Sequence, residues 1–211
     1  MRIVVDASDT MARLGQVAIW SFELEAWGEC AQAATEAEAR ASFARRIGCA
    51  VDDLEVHERT AGADAVFAAD LLAADDAQIL RTIQILDAQR VLTLALLNAT
   101  SDGELDAQDP AVRQPTWMVW RTPREVLRHI ADTEARAYPR WCGLPQLEPI
   151  DDLREELAHS ARHVREILHT MPRTFRAEHR GEVWTPVKLL RRLAWHERIE
   201  LIFLRRRLGL R

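Results

Sequence analysis

The clearest chemical pattern in the sequence lies in residues 189–204, where ionisable side chains interrupt an apolar helical stripe. On a helical wheel Glu200 lies in the middle of that stripe, and His196 and Glu197 lie within it or at its edge. A buried carboxylate without a partner costs several kcal/mol, so Glu200 needs a cation, a proton or an opening to solvent. His196 and Glu200 are four residues apart, a spacing at which two side chains of one helix can bind the same metal ion.

Charged residues also fall on the apolar faces of two other predicted helices. Asp87 and Arg90 lie inside one stripe, and Glu134 lies inside another. One interpretation is a structural network of ion pairs in which Arg90 bridges Asp87 and Glu134. The other is that Arg90 binds a substrate. The sequence leaves both interpretations open.

A second histidine pair, His159 and His163, has the same four-residue spacing. Both residues fall on the side of their predicted helix that is opposite to Leu157 and Leu168. This position favours a solvated helix face over a second metal site.

Four segments of the chain carry helix signals, and these helices must position the ionisable side chains. The predicted helices cover residues 76–99, 123–141, 151–171 and 186–208. Two of them begin with a capping residue followed by proline, at Thr122-Pro123 and Thr185-Pro186. Helices of about 20 residues are about 30 Å long, so four of them can enclose one shared core. We therefore predict a mainly α protein, a four-helix up-down bundle preceded by a small α+β module.

The small module is predicted from the N-terminal part of the chain. Residues 2–7, 16–24 and 54–60 have the alternation and the β-branched and aromatic content that are typical of strands. Between the second and third of these segments, Thr35 and Glu38 form a capping box that begins a short helix, and Gly48 ends it. The predicted domains are residues 1–74 and residues 75–211.

Composition restricts the class of partner and the compartment. The 211 residues include 28 Lys+Arg and 33 Asp+Glu, and the net charge of −5 disfavours nucleic acid, although the basic residues of the last predicted helix keep that alternative open. No stretch approaches the roughly 18 apolar residues of a membrane span, and the start lacks a secretory signal. The three cysteines are odd in number and widely spaced, which favours reduced thiols over a disulfide framework or a zinc cluster. We expect a cytoplasmic protein that has no nucleic-acid or membrane partner.

Two longer motifs resemble one family. TWMVWRTPREVLRHIADTEARAY (116–138) and EVWTPVKLLRRLAWHERIE (182–200) resemble the second-helix and fourth-helix motifs of the DinB/YfiT-like metalloenzymes. The resemblance covers about Asp75 to Arg211, and the order and spacing of the two motifs make it more specific than either motif alone.

The resemblance implies a metal site at one end of the bundle. In that family three histidines bind a divalent metal, usually zinc, nickel or iron. His129 matches the ligand of the second helix and His196 the first ligand of the fourth, whereas Glu200 stands where the family has its third histidine. Two histidines and one carboxylate form a competent ligand set for zinc or iron. The site therefore either persists with a changed metal preference or is lost, with Glu200 paired to an arginine.

The implied function is a divalent-metal-dependent enzyme, in the form of a thiol-dependent transferase or isomerase acting on a small molecule with a low-molecular-weight thiol. A hydrolase is a further form. Glu197 would support the ligands or act as the catalytic base, and Arg90 would bind an anionic thiol or substrate. The alternative is a bundle with a degenerate metal site that acts as a ligand-binding or interaction protein, so whether the chain is an enzyme stays open.

The N-terminal module and the last helix suggest partners. WSFELEAWGECAQAATEAEARASFARRI (20–47) weakly resembles HicB-like domains, and we interpret it as an accessory or dimerisation domain. On the last predicted helix, Trp195, Ile199 and Ile202 lie opposite the core-facing stripe, so this helix should be covered by the N-terminal module or by a second subunit. We expect a homodimer.

Overall fold

The computed structural model describes residues 1–63, 66–108 and 120–210, and contacts group the chain into two compact units. The first unit comprises Met1–Thr82 and Met171–Trp195, and the second comprises Ile83–Thr170 and His196–Arg211. Each unit combines two stretches of the chain, whereas the sequence predicts one boundary between residues 74 and 75. Contact grouping does not test that domain boundary, which stays a prediction.

The first unit contains a four-stranded mixed sheet. Its strands are β1 Arg2–Ser8, β2 Val17–Trp20, β3 Cys30–Ala33 and β4 Glu55–Gly62. The strand order is β3-β2-β1-β4, with β1 antiparallel to β2 and parallel to β4, and β2 antiparallel to β3. Single turns of 3₁₀-helix occur at Leu24–Ala26, Val51–Asp53 and Ala68–Leu71.

Alternation along the strands gives the sheet two apolar faces. Ile3, Val5 and Ile19 pack with residues of a helix on one face, whereas Val4 and Trp20 pack on the other. The helices of this part of the chain are α1 Asp9–Arg13 and α2 Glu36–Ile47. The predicted capping box of α2 is confirmed, because the Thr35 side chain accepts a hydrogen bond from the Glu38 backbone N–H and the Glu38 carboxylate accepts one from Thr35.

Six further helices follow in the described part of the chain. They are α3 Asp76–Ala99, α4 Asp102–Leu105, α5 Pro123–Asp132, α6 Tyr138–Trp141, α7 Leu153–Thr170 and α8 Pro186–Arg207. A π-helical turn, Thr133–Ala137, joins α5 directly to α6. The predicted helix starts at Pro123 and Pro186 are confirmed, and the capping box of Thr122 and Glu125 precedes the first of them.

A short hairpin precedes α8. Its strands, β5 Ala177–His179 and β6 Glu182–Trp184, pair in antiparallel fashion. Arg180 and Gly181 between them have positive φ angles of 53° and 78°. Positive φ at both central residues is the geometry of the two-residue turn that matches the twist of antiparallel strands.

The second unit is built around one apolar core. Leucines of α3, α4, α7 and α8 pack against the apolar side of α5. The buried residues of this core are Leu96, Leu97, Leu105, Val126, Leu127, Ile130, Ala131, Leu153, Leu157, Leu201 and Leu204. Among the described residues, no helix has both the length and the apolar character that a membrane span requires.

The predicted fold class, a mainly α protein with a four-helix up-down bundle after a small α+β module, is wrong. The chain is α+β, with a four-stranded sheet and a two-stranded sheet beside its helices. Strand β3 and the hairpin β5–β6 carry too short an alternating pattern to be recognised in the sequence. In addition, α3 and α8 each divide their residues between the two units, so these helices do not belong to one separate bundle.

A helical period identifies a helix but not the neighbours that will cover it. The helical period of residues 76–99 predicts Ile79, Leu80, Ile83 and Leu86 on one buried stripe, yet Leu80 is 57% exposed. Ile79, Ile83 and Leu86 on the same predicted stripe are buried. The stripe is therefore narrower than the sequence indicates.

A buried ion pair anchors the start of α8 in the first unit. Arg191 Nη2 lies 2.7 Å from Asp70 Oδ2, and both side chains are almost fully buried. Thr185 Oγ1 also donates a hydrogen bond to the Asp70 carbonyl oxygen, at 2.6 Å. Removing one partner of a buried pair leaves an uncompensated charge.

We expect Asp70→Ala to lower the free energy of unfolding by about 3–5 kcal/mol, because Arg191 would remain buried without its counter-charge. Chemical denaturation measures this change. The exposed pair Arg173–Asp76 offers a matched control, and Asp76→Ala should cost less than about 1 kcal/mol. Equal losses in the two variants would contradict the expectation.

Candidate metal centre

His129, His196 and Glu200 lie together in the second unit, with one possible ligand atom of each within 4.8 Å of the others. His129 lies on α5, whereas His196 and Glu200 lie on successive turns of α8. The two histidines face each other through their Nε2 atoms, which are 3.1 Å apart. His129 Nε2 is also 3.9 Å from Glu200 Oε1.

The donor atoms fit a divalent metal. A tetrahedral ion with bonds of about 2.05 Å to nitrogen holds two ligand nitrogens about 3.3 Å apart, close to the observed separation of the two Nε2 atoms. Glu200 Oε2 is buried and has no hydrogen-bond partner among the described residues. An orphaned carboxylate oxygen beside two imidazole nitrogens is a donor set that zinc or iron can use.

Burial shapes the charges of this centre. Burial, assisted by repulsion from His196, lowers the pKa of His129 to about 3, so its imidazole is neutral at pH 7. A neutral imidazole is the form that binds a metal. Burial also raises the pKa of Glu200 above its ordinary value, although the attraction of His196 opposes the rise. Because His129 is neutral, its contact with Glu200 is not an ion pair.

Each histidine is held by a hydrogen bond at its Nδ1 atom. His196 Nδ1 lies 3.3 Å from Glu134 Oε1, and His129 Nδ1 lies 3.0 Å from Thr133 Oγ1. Both partners come from the π-helical turn. Partners of this kind fix the ring orientation of metal-binding histidines and leave Nε2 directed at the site.

Arg90 contacts Glu134 and is 5% exposed. Its Nη2 donates to Glu134 Oε2 at 2.9 Å, and its Nε donates to Glu197 Oε1 at 2.8 Å. Its Nη1 donates to Ser160 Oγ, at 2.7 Å, and to the Leu157 carbonyl oxygen. These bonds support a role for Arg90 in positioning other side chains, and its predicted contact with a substrate stays a prediction.

The predicted bridge from Arg90 to Asp87 is wrong, although the contact of Arg90 with Glu134 is confirmed. Asp87 instead accepts a hydrogen bond from Arg165 Nε at 2.7 Å. Residues three apart on a helix differ in direction by about 60°, so Asp87 lies at the edge of the stripe, where α7 supplies its partner.

Glu197 is 1% exposed, and its Oε1 also accepts a hydrogen bond from Thr93 Oγ1 at 2.6 Å. Its Oε2 has no hydrogen-bond partner in the part of the chain that is described. Burial raises the pKa of Glu197 to about 7 against the opposing charge of Arg90, and Glu134 adds to the rise. The predicted catalytic role of Glu197 stays a prediction.

Aromatic rings cover the histidines. The ring of Trp120 lies against His129, with 3.6 Å between the ring centroids, and Tyr138 meets His196 edge-on at 5.7 Å. The first residues of the predicted second-helix motif, 116–119, lie outside the described residues. The second histidine pair lies away from this centre, since His159 is exposed and His163 contacts the Pro145 carbonyl oxygen.

The site residues predicted from the sequence do not include Thr133, Thr93 and Ser160. Thr133 follows His129 by four residues, so the helical spacing could have identified it. Thr93 and Ser160 carry no such signal, because their partners come from other helices.

Glu200 predicts a pH dependence of stability in metal-free protein. A glutamate whose pKa is raised in the fold above 4.5 stabilises the protein fully below that pH, and the contribution is lost as the pH rises through the raised pKa. We expect Glu200→Gln to be more stable than the natural protein at about pH 8 and to lose that advantage at about pH 4. Chemical denaturation with a chelator present measures both, and equal stabilities at the higher pH would contradict the expectation.

Comparison of the chain with protein-family models, with curated proteins and with solved structures finds no match.

Proposed function

We propose that this chain is a divalent-metal-dependent enzyme of the DinB/YfiT-like kind, with His129, His196 and Glu200 as its metal ligands. One observation carries the proposal. Two imidazole Nε2 atoms face each other at 3.1 Å beside a buried carboxylate oxygen that has no partner among the described residues. Two imidazole nitrogens and one carboxylate oxygen are a set that zinc or iron binds, and a buried carboxylate oxygen without a partner is unfavourable unless a cation or a proton joins it.

The competing interpretation, a degenerate site, required Glu200 to be neutralised by an arginine. In the described residues no arginine pairs with Glu200, whose Oε1 lies 3.9 Å from Nε2 of the neutral His129 ring. The guanidinium of Arg90 forms its ion pairs with Glu134 and Glu197. These contacts favour the metal-binding interpretation.

When bound, a zinc, nickel or iron ion would supply Lewis-acid chemistry, which lowers the pKa of a water or thiol that it coordinates. The protein would supply orientation and a dry surrounding. Trp120 and the apolar core near α5 exclude water from the histidines. Glu197, whose pKa is about 7, can hold or release a proton at Oε2 near neutral pH, as a catalytic base or acid must.

We further propose a thiol-dependent transferase or isomerase that acts on a small molecule with a low-molecular-weight thiol. Three protein ligands leave a coordination position for such a thiol, and the family resemblance favours this reaction class. A hydrolase uses the same open position. No disulfide joins Cys30, Cys49 and Cys142 in the described part of the chain, which supports a reducing cytoplasmic compartment.

Metal content tests the proposal. Tag-free protein should contain close to one zinc, nickel or iron ion per chain by mass spectrometry, and His196→Ala should lose it because an Nε2 donor is removed. His159→Ala is the matched control, since His159 is an exposed histidine with the same helical spacing to a second histidine. Absence of metal from the natural protein, even after these ions are added, would overturn the proposal.

The catalytic role of Glu197 is tested separately. Screening the metal-loaded protein for thiol-dependent reactions would first identify an activity, and kcat of that reaction would then be compared between the natural protein and Glu197→Gln. Loss of a general base lowers rates by about 10²–10⁴-fold. We expect Glu197→Gln to keep its metal and to lower kcat by that order. An unchanged kcat would assign Glu197 to structure alone.

The homodimer stays part of the proposal, but a different surface supports it. Trp195 of α8 packs against Trp20, with ring centroids 5.5 Å apart, so the face that suggested a partner is already covered in part. On α3, by contrast, Val91 and Leu92 are 68% and 49% exposed, and the neighbouring exposed positions Gln84, Ala88 and Ala95 are uncharged. An uncharged apolar surface suits contact with a second copy of itself.

We expect Val91→Asp to convert a dimer into a monomer in sedimentation measurements, because an interface cannot bury an unpaired carboxylate. Leu72→Asp is the control, since Leu72 is 65% exposed outside α3. A monomeric natural protein would contradict the dimer.

A further inference from the structure

The hydrogen bond between the two histidines constrains which ring nitrogen carries each hydrogen. At 3.1 Å, one of the facing Nε2 atoms donates and the other accepts. A neutral imidazole has one N–H group, so the choice at Nε2 also decides the role of Nδ1 in the same ring. Hydrogen bonds link Glu134, His196, His129 and Thr133 in series, so the groups that contact the two Nδ1 atoms determine which atom donates in each bond.

Glu134 sets that direction. Its Oε2 accepts a hydrogen bond from Arg90, and an ionised carboxylate can only accept from the Nδ1 of His196. His196 therefore carries its hydrogen on Nδ1, and its Nε2 accepts from His129 Nε2–H. His129 Nδ1 is then an acceptor, and the Thr133 hydroxyl donates to it.

We propose that Glu134 is the positioning residue of the metal centre, presetting His196 in the tautomer that a metal needs, and that His129 and Thr133 form a pair that switches when a metal enters. His196 Nε2 already carries a lone pair instead of a hydrogen, and a metal would take the place of the His129 N–H group that this lone pair accepts from. His129 must move its hydrogen from Nε2 to Nδ1, breaking one N–H bond and forming another, with no net loss of a proton. The Thr133 hydroxyl changes from donor to acceptor, which a hydroxyl can do by rotation.

His129 lies in the last turn of α5, and Glu134 lies in the π-helical turn that follows it. In a regular α-helix, residues five apart, such as His129 and Glu134, point about 140° away from each other. The π turn begins at Thr133 and contains one more residue per turn, and it is stabilised by a hydrogen bond from the Tyr138 N–H to the Thr133 carbonyl oxygen. His129 and Glu134 contact opposite nitrogens of the same His196 ring.

Glu156 provides a matched control for Glu134. Its side chain is 2% exposed, and like Glu134 it accepts hydrogen bonds from arginine, in its case Arg128 and Arg136. No described contact joins Glu156 to the three metal ligands. Replacing either glutamate therefore removes a buried charged acceptor, but only Glu134 touches a ligand.

Nitrogen NMR of the imidazole rings at about pH 8 tests the positioning role in metal-free protein. We expect His196 as the Nδ1–H tautomer and His129 as the Nε2–H tautomer. Glu134→Gln should disturb the His196 signals, whereas Glu156→Gln should leave them unchanged. A metal-free His196 that carries hydrogen on Nε2, alone or together with Nδ1, would overturn the proposal.

Adding zinc tests the switch, which rests on the proposed metal site. His129 should change to the Nδ1–H tautomer while His196 keeps its own, and Glu134→Gln should raise the zinc dissociation constant by about 10–100-fold. Thr133→Val should also weaken zinc binding, and Thr133→Ser should restore it. Unchanged affinity in Glu134→Gln would overturn the positioning role. Failure of the natural protein to bind zinc, nickel or iron would instead overturn the proposed function. The metal-free spectra would still show whether Glu134 sets the tautomer of His196.

Discussion

The buried guanidinium of Arg90 organises the second unit. It donates to Glu134 on the π turn, to Glu197 on α8 and to Ser160 on α7. A charge this deep is tolerated only when its donors are satisfied, so each of these partners has a defined position. The position of the candidate ligand His196 follows from this network, because Glu134 contacts its ring and Glu197 is the next residue on α8.

The balance of charge around Arg90 explains why a cation suits this centre. Glu134, Glu197 and Glu200 supply carboxyl groups to one buried region, whereas Arg90 contacts only the first two of them. Burial raises the pKa of both Glu197 and Glu200, which means that ionising them costs free energy in the metal-free protein. A divalent ion at the histidines would offset that cost and would use the unpaired oxygen of Glu200.

Much of the local structure could be predicted from the sequence. The starts of α5 and α8, the capping box of α2 and three of the four strands of the larger sheet follow from capping residues, proline and alternation. The fold class could not, because β3 and the β5–β6 hairpin are short and because α3 and α8 each contribute to two units. Periodicity shows that a face is apolar, but it does not show which element will cover that face.

For the candidate site, the sequence by itself determined the spacing of His196 and Glu200 and their position on an apolar face of one helix. It also indicated that Glu134 and Arg90 would be buried, and it was wrong about Asp87. The contact of His129, 67 positions away along the chain, with His196 was expected from the family resemblance alone, and only the tertiary structure decided that Glu134 and Thr133 hold the other sides of the two rings. The physical reason is that helical spacing fixes directions within one helix, whereas contacts between helices depend on how their faces pack.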